Sequence, residues 1–193
     1  MDKFFNSTFD ALTNVVPGAF FLAALALLDP SFQTVDDLVS KANDIDLGGG
    51  AFIIMICYVI GFAIGPIGKT LYQKVGFYLW PMEPEASSSL SISDKFILVR
   101  EYSPTNFKYI ESWNMFCTLA HNLALTTIAL FVVSLLRIFV YKSSSVLLFV
   151  AIALLSVIGF FLFLKRAVVF RSWAIKDLNA AIATLNLNKK DST

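Results

Sequence analysis

Residues Ser112–Leu136 read SWNMFCTLAHNLALTTIALFVVSLL, 25 consecutive positions without a charged side chain. About 20 apolar residues, at a rise of about 1.5 Å each, cross a hydrocarbon layer of about 30 Å. The stretch therefore reads as a membrane-crossing helix with length to spare. Polar groups interrupt it at a regular interval. Asn114, Thr118, Asn122 and Thr126 recur at i+4, which places them on one slowly drifting stripe, and His121 stands beside it.

Three further uncharged stretches flank this one in the 193-residue chain: Ala11–Leu28 (18 residues), Leu47–Gly68 (22) and Ser143–Leu164 (22). Spans at about 11–28, 47–68, 112–136 and 143–164 predict an all-α integral membrane protein with four transmembrane helices. It forms a single membrane domain, with a cytosolic inner loop at 69–111 and a helical cytosolic tail at 165–193. Composition agrees: 57% of residues are apolar, 15% are charged and mean hydropathy is +0.71. Soluble domains average about 45–50% apolar and about 25% charged. The first stretch also carries Ala24-Leu25-Ala26, the small-x-small form of a signal-peptide cleavage site. A signal peptide needs a positive leading region, whereas residues 1–10 set Lys3 against Asp2 and Asp10. The span reading is preferred.

Orientation follows from the basic residues. With the N-terminus inside, 12 of the 15 Lys and Arg fall on inner segments and only Lys41, Arg137 and Lys142 fall outside. The positive-inside rule then puts both termini in the cytoplasm, in a plasma (inner) membrane. Arg137, with Tyr141 and Lys142, reads as a snorkelling anchor at the outer face. The outer loop after the first span is acidic, with Asp29, Asp36, Asp37, Asp44 and Asp46 against Lys41. These carboxylates lack the fixed ligand spacing of a hard-cation loop, so a solvated loop is expected. Cys57 and Cys117 lie inside spans, which implies buried thiols rather than a disulfide framework.

Catalytic signatures are missing. The chain has one histidine, no Cys/His/carboxylate set at metal-ligand spacing, no nucleophile elbow and no phosphate-binding Gly-rich loop. No charged residue sits mid-span, so proton relays and ion-coupled transport lose their usual markers. The expectation is a non-enzyme without metal or cofactor.

In the inner loop, Lys69–Lys74 continues the second helix and Pro81 and Pro84 end it. The Ala86–Ser91 run reads as a flexible turn. Ser93–Tyr102 alternates loosely, and Ser103-Pro104 supplies a cap and a first helical position for the climb into the third span. In the tail, Ile175, Leu178, Ile182 and Leu185 fall at 3-4-3 spacing. That spacing is an a/d seam, either for self-association or for packing on the chain's own inner loop.

The stripe admits two readings. Its groups either hydrogen-bond across helices within one bundle or line a water-filled path at the centre of an oligomer, most simply a tetramer. In the second reading Asn114, Thr118, His121, Asn122 and Thr126 are pore-lining, and the aliphatic outer half around Leu130 closes the pore. Gly61, Gly65 and Pro66 on the second span form a small-xxx-small face with a hinge, while His121 adds a pH dependence. At the inner mouth Lys95, Arg100, Lys108, Lys165, Arg166, Arg171 and Lys176 offer a surface for a cytosolic anion, an acidic partner or anionic lipid, and bias the path toward anions.

The layout resembles the small membrane effectors of bacterial antiphage defence systems, such as the Hailong and Kiwa membrane subunits. The resemblance rests on size, span count, Val16-Pro17-Gly18 at the first span and Ala120-His121-Asn122-Leu123-Ala124 in the third. It implies a homo-oligomer that conducts ions or depolarises the membrane under control of a cytosolic nucleotide, oligonucleotide or partner protein. The alternative is a non-conducting membrane scaffold that recruits a cytosolic partner.

Overall fold

A computed structural model describes residues 2–29, 31, 35–82, 90–141 and 145–185, with the side chains of 2–10, 35, 38 and 42 outside the description. Every regular element among the described residues is helical. These elements are α1 (Asp2–Ala26), α2 (Val35–Asn43), α3 (Leu47–Leu71), a π-helical turn (Tyr72–Gly76) leading into α4 (Phe77–Leu79), α5 (Ile92–Tyr102), α6 (Pro104–Phe139) and α7 (Val146–Thr184). Three of the helices are long and apolar enough to cross a membrane: α3 with its continuation to Leu79, α6 and α7. The apolar part of α1, Ala11–Ala26, is shorter. Lys142, Lys189, Lys190, Pro84 and most of the serine-rich run lie outside the described residues.

Helix ends follow local chemistry. Asp46 caps α3 by accepting the Gly49 N–H at 2.7 Å, and Ser91 caps α5 by accepting the Asp94 N–H at 3.1 Å. The loose alternation at 93–102 is thus overruled by a capped helix. Pro104 opens α6 as expected, although Ser103 makes no side-chain cap. In the acidic loop after α1, α2 places Asp36 and Asp37 in its first turn and Lys41 in its last, matching the helix dipole. Helix α1 starts far before Asn14, so Asn14 and Pro17 are interior to it rather than at its entry.

Helices α6 and α7, 36 and 39 residues long, form an antiparallel hairpin. At 1.5 Å per residue they run about 54 and 58 Å, well beyond a hydrocarbon core of about 30 Å. Helix α6 is the centre of the molecule. It packs against α1, α3 and α7, and 39% of its apolar window is buried, against 17% for α3 and α7. Large apolar side chains such as Phe52, Val59, Phe62, Leu147, Leu155 and Leu162 stay exposed on those flanking helices, as lipid-facing surfaces do.

Three apolar clusters follow one another along the hairpin. The outer one joins Ala24 and Leu27 of the α1 end to Val133 and Phe149. The middle one joins Tyr72, Cys117, Ala120, Ala124, Leu164, Ala167 and Val168. The inner one joins Val99 of α5, Ile110 of α6 and Ala174, Leu178, Ala181 and Ile182 of α7. Between middle and inner clusters lies an aromatic group: Trp113 meets Trp173 edge-on at 4.9 Å and stacks on Phe170 at 6.0 Å, and its indole N–H donates to the Asp177 carboxylate at 2.8 Å.

The tail seam follows the second of its two readings, packing on the chain's own 69–111 loop, because Leu178 and Ile182 are fully buried against α5 and α6. Ile182→Glu should therefore cost about 2–5 kcal/mol through lost packing and a buried charge. Limited proteolysis should then cut α5 and the tail, while oligomer mass in detergent stays unchanged. A fall in oligomer mass with the tail still protected would restore the seam as an interface. Arg137 fails as an outer anchor. It is 1% exposed, its guanidinium lies 5.0 Å from the Phe149 ring centroid, and Nη1 reaches the Asp29 carbonyl at 3.5 Å. The ring face and the carbonyl hold the charge inward, where a cation–π contact with desolvation is strongest. Just past the α1 end, the Ser31 backbone N–H at 2.8 Å holds the Asp29 carboxyl below its ordinary value.

Candidate functional site

The polar stripe of α6 is the wall between two cavities. One, of about 440 Å³, lies between the π turn, the start of α5, α6 and α7, and is lined by Lys69, Tyr72, Gln73, Cys117, His121 and Arg171 among others. The second, of about 410 Å³, lies between α1, α3 and α6 and is lined by Thr13, Asn14, Gly65, Pro66, Glu111 and Asn122 among others. Asn114 and Thr118 border both. The i+4 repeat therefore brings Asn114, Thr118, His121 and Asn122 to open space within a single chain. Thr126 is not among the lining residues of either cavity; it is 1% exposed, and its hydroxyl donates to the Leu123 carbonyl at 2.8 Å.

The hydrogen bonds show where the stripe's polar groups are satisfied within one chain. Thr118 donates to the Asn114 carbonyl at 3.0 Å, Asn114 Nδ2 to the Ile110 carbonyl at 3.2 Å, Thr127 to Ala124 at 2.7 Å and Ser134 to Leu130 at 2.7 Å. These groups bond back to their own helix. A cross-helix bond reaches the stripe: Arg171 Nη1 donates to Asn114 Oδ1 at 2.9 Å. Asn122 is fully buried, yet neither amide atom meets a partner, and neither does Nδ1 of the 5%-exposed His121. An unsatisfied buried polar group costs about 1–3 kcal/mol.

The α3 glycines serve two different neighbours. A Cβ on Gly61 would overlap the Asn14 carbonyl of α1, and one on Gly18 would overlap the Cys57 carbonyl of α3. Gly65 and Gly68 instead make the notch that receives Asn122; a Cβ on Gly68 would lie 2.8 Å from Asn122 Oδ1. Pro66 is exposed and borders the second cavity, and its carbonyl accepts from Thr70 Oγ1 at 2.9 Å. The irregular backbone falls one to two turns later, at Tyr72–Gly76, where an extra residue per turn brings Tyr72 and Gln73 to the cavity. Isolated π turns concentrate at functional sites. The sequence held no signal for this one beyond its position after Pro66. Tyr72 stacks on His121 with centroids 5.6 Å apart. Leu130 is half-buried and packs on the outer apolar cluster, above both cavities.

The basic residues separate as well. Lys95 is 2% exposed and Nζ donates to Asn179 Oδ1 at 2.8 Å, tying α5 to α7. It is a structural tie and not part of an open anion surface. Arg100 lies over the Phe107 ring at 5.9 Å. Lys108, Lys165, Arg166 and Lys176 are exposed, and Arg171 lines the first of the two cavities. Lys69, which sequence reasoning did not single out, joins it there. Among the described residues no three His, Cys, Asp or Glu side chains gather as a metal site.

No known protein family, curated protein or solved structure matches this chain.

Proposed function

We propose that the chain is a four-span membrane protein with both ends in the cytosol. It acts as a homo-oligomeric channel or effector, shut at rest and gated from the cytosolic side. The observation that carries this reading is the asymmetry of α6. One half of its length borders two cavities through the side chains of the polar stripe, and its other half packs among Ala24, Leu27, Leu130, Val133 and Phe149. A vestibule with polar groups on one wall that ends on an aliphatic plug is what a dewetting gate requires. Because α6 is enclosed by α1, α3 and α7, the path of this proposal runs inside each protomer rather than along an oligomer axis. Ion conduction or depolarisation in antiphage defence is the role implied by the resemblance to small defence effectors. Helix α1 serves as the fourth span, its shorter apolar stretch accommodated by local thinning of the bilayer.

Reporter fusions after Asp44 and after Thr193 should read outside and inside respectively; the reverse at either point overturns the topology. Mass measurement in nanodiscs should give an oligomer, expected to be a tetramer, and a monomer at every concentration refutes assembly. Ion flux from proteoliposomes tests the function itself.

One observation favours the scaffold as the second reading. The bundle of α5 with the inner ends of α6 and α7 exposes Ile97, Tyr102 and Tyr109, apolar groups on a well-packed module that a partner can grip. A scaffold passes no ions under any condition, so the same flux recording separates the two.

A further inference from the structure

The cavity at the π turn brings two cationic side chains together. Lys69 and Arg171 line it with Gln73, Asn114, Thr118 and His121, and among the described residues no carboxylate lines it. Neither cation is in an ion pair among the described residues. Arg171 is also held in place. Its Nη1 donates to Asn114 Oδ1 at 2.9 Å, and that carboxamide is fixed in turn because its Nδ2 donates to the Ile110 carbonyl at 3.2 Å. A guanidinium has five N–H donors, so this clamp orients the group and leaves the others for a ligand. His121 Nδ1, buried and unpartnered, borders the same space.

We propose that this cavity binds one phosphate-bearing anion, with Lys69 and Arg171 on the phosphate oxygens. The ligand is either an anionic phospholipid headgroup or a soluble phosphorylated small molecule. Arginine's planar fork suits phosphate oxygens, and lysine adds a point charge. A volume of about 440 Å³ falls in the small-ligand range of about 300–1,000 Å³ and is too small for a folded partner or an oligonucleotide. The inference rests on the membrane reading, which puts the site at the inner interface where basic pockets between helices take headgroups. It does not rest on ion conduction. The anion site thereby moves from a surface patch to a built cavity.

The test uses the purified full chain in neutral detergent. One arm counts phosphatidylglycerol against phosphatidylcholine retained per chain by native mass spectrometry. The other titrates inorganic phosphate and adenosine monophosphate while following thermal stability. One bound anion per chain is expected. Lys69→Gln with Arg171→Gln should weaken binding by about tenfold or more, whereas Lys165→Gln with Arg166→Gln, outside the cavity, should change it by less than about twofold. Lys69 is exposed, so Lys69→Gln alone must still weaken binding even if the Arg171 change disturbs folding, and Arg171→Lys should restore part of it. Retained phosphatidylglycerol without a phosphate effect assigns the headgroup; a phosphate or nucleotide effect in lipid-free micelles assigns the soluble ligand. Binding of neither probe, or equal loss in the Lys165/Arg166 pair, overturns the site. Flux is recorded separately, so lost binding with intact flux sinks this inference and leaves the channel standing.

Discussion

Replacing Gly61 by alanine is expected to push α1 away from α3. Two energies compete at this position. Alanine gains about 0.8–1 kcal/mol of helix propensity over glycine, while overpacking a tight contact costs about 1–3 kcal/mol and sometimes more. Overpacking wins because the atom in the way is the Asn14 backbone carbonyl, which has no rotamer to escape into. Gly18→Ala should act alike, since its Cβ would meet the Cys57 carbonyl from the other side. The double variant should cost less than the two changes added, because a helix already displaced has little more to lose. The chain carries its own reporter in two cysteines, both buried. Cys57 lies under α1, whereas Cys117 belongs to the cluster with α7. Maleimide should label Cys57 in the Gly61→Ala protein and leave Cys117 protected. Unchanged protection of both thiols would show that α1 and α3 are not packed this closely.

The second large effect concerns the plug and the stripe together. Leu130→Ser removes an aliphatic group from the outer cluster and adds a hydroxyl. Burying such a group is worth about 1.5–3 kcal/mol, and about 1.4 kcal/mol off a barrier is tenfold in rate. A dewetting gate of this kind should therefore leak at least about tenfold faster in liposomes, and expression should become toxic. Asn122→Leu gives the opposite pairing of outcomes. Asn122 has no hydrogen bond to lose. Relief of its unsatisfied buried amide, about 1–3 kcal/mol, offsets the overpacking of a larger side chain in the Gly65/Gly68 notch, also about 1–3 kcal/mol, so stability should change little. Flux through the cavity wall, in contrast, should fall. Stability and conduction then move apart in one variant, which a purely structural role for Asn122 does not allow. If wild type and the Leu130→Ser variant both pass no ions, with or without ligand, the channel reading is wrong.

The all-helical fold, with three helices long and apolar enough to cross a membrane, was legible from charge-free length. In a bilayer, stretches of 18–25 residues without charge leave the backbone few alternatives to helix, because each N–H and C=O must be satisfied inside the segment. The i+4 stripe was legible too, being a property of one helix and its 3.6-residue turn. What a single helix cannot express is which neighbour each face meets. The Leu178 and Ile182 seam has the same spacing whether its partner is a second copy or α5, and only the inner loop folding back as a helix capped at Ser91 decided for α5. Arg137 looks like an anchor until Phe149, 12 positions later across the hairpin turn, supplies a ring to cover it. Lys95 was consumed by Asn179, and Lys69 was delivered to Arg171, by contacts between residues far apart in the chain. Local periodicity is written in the order of residues. Partner choice is a sum over distant packing, and only the assembled helices carry it out.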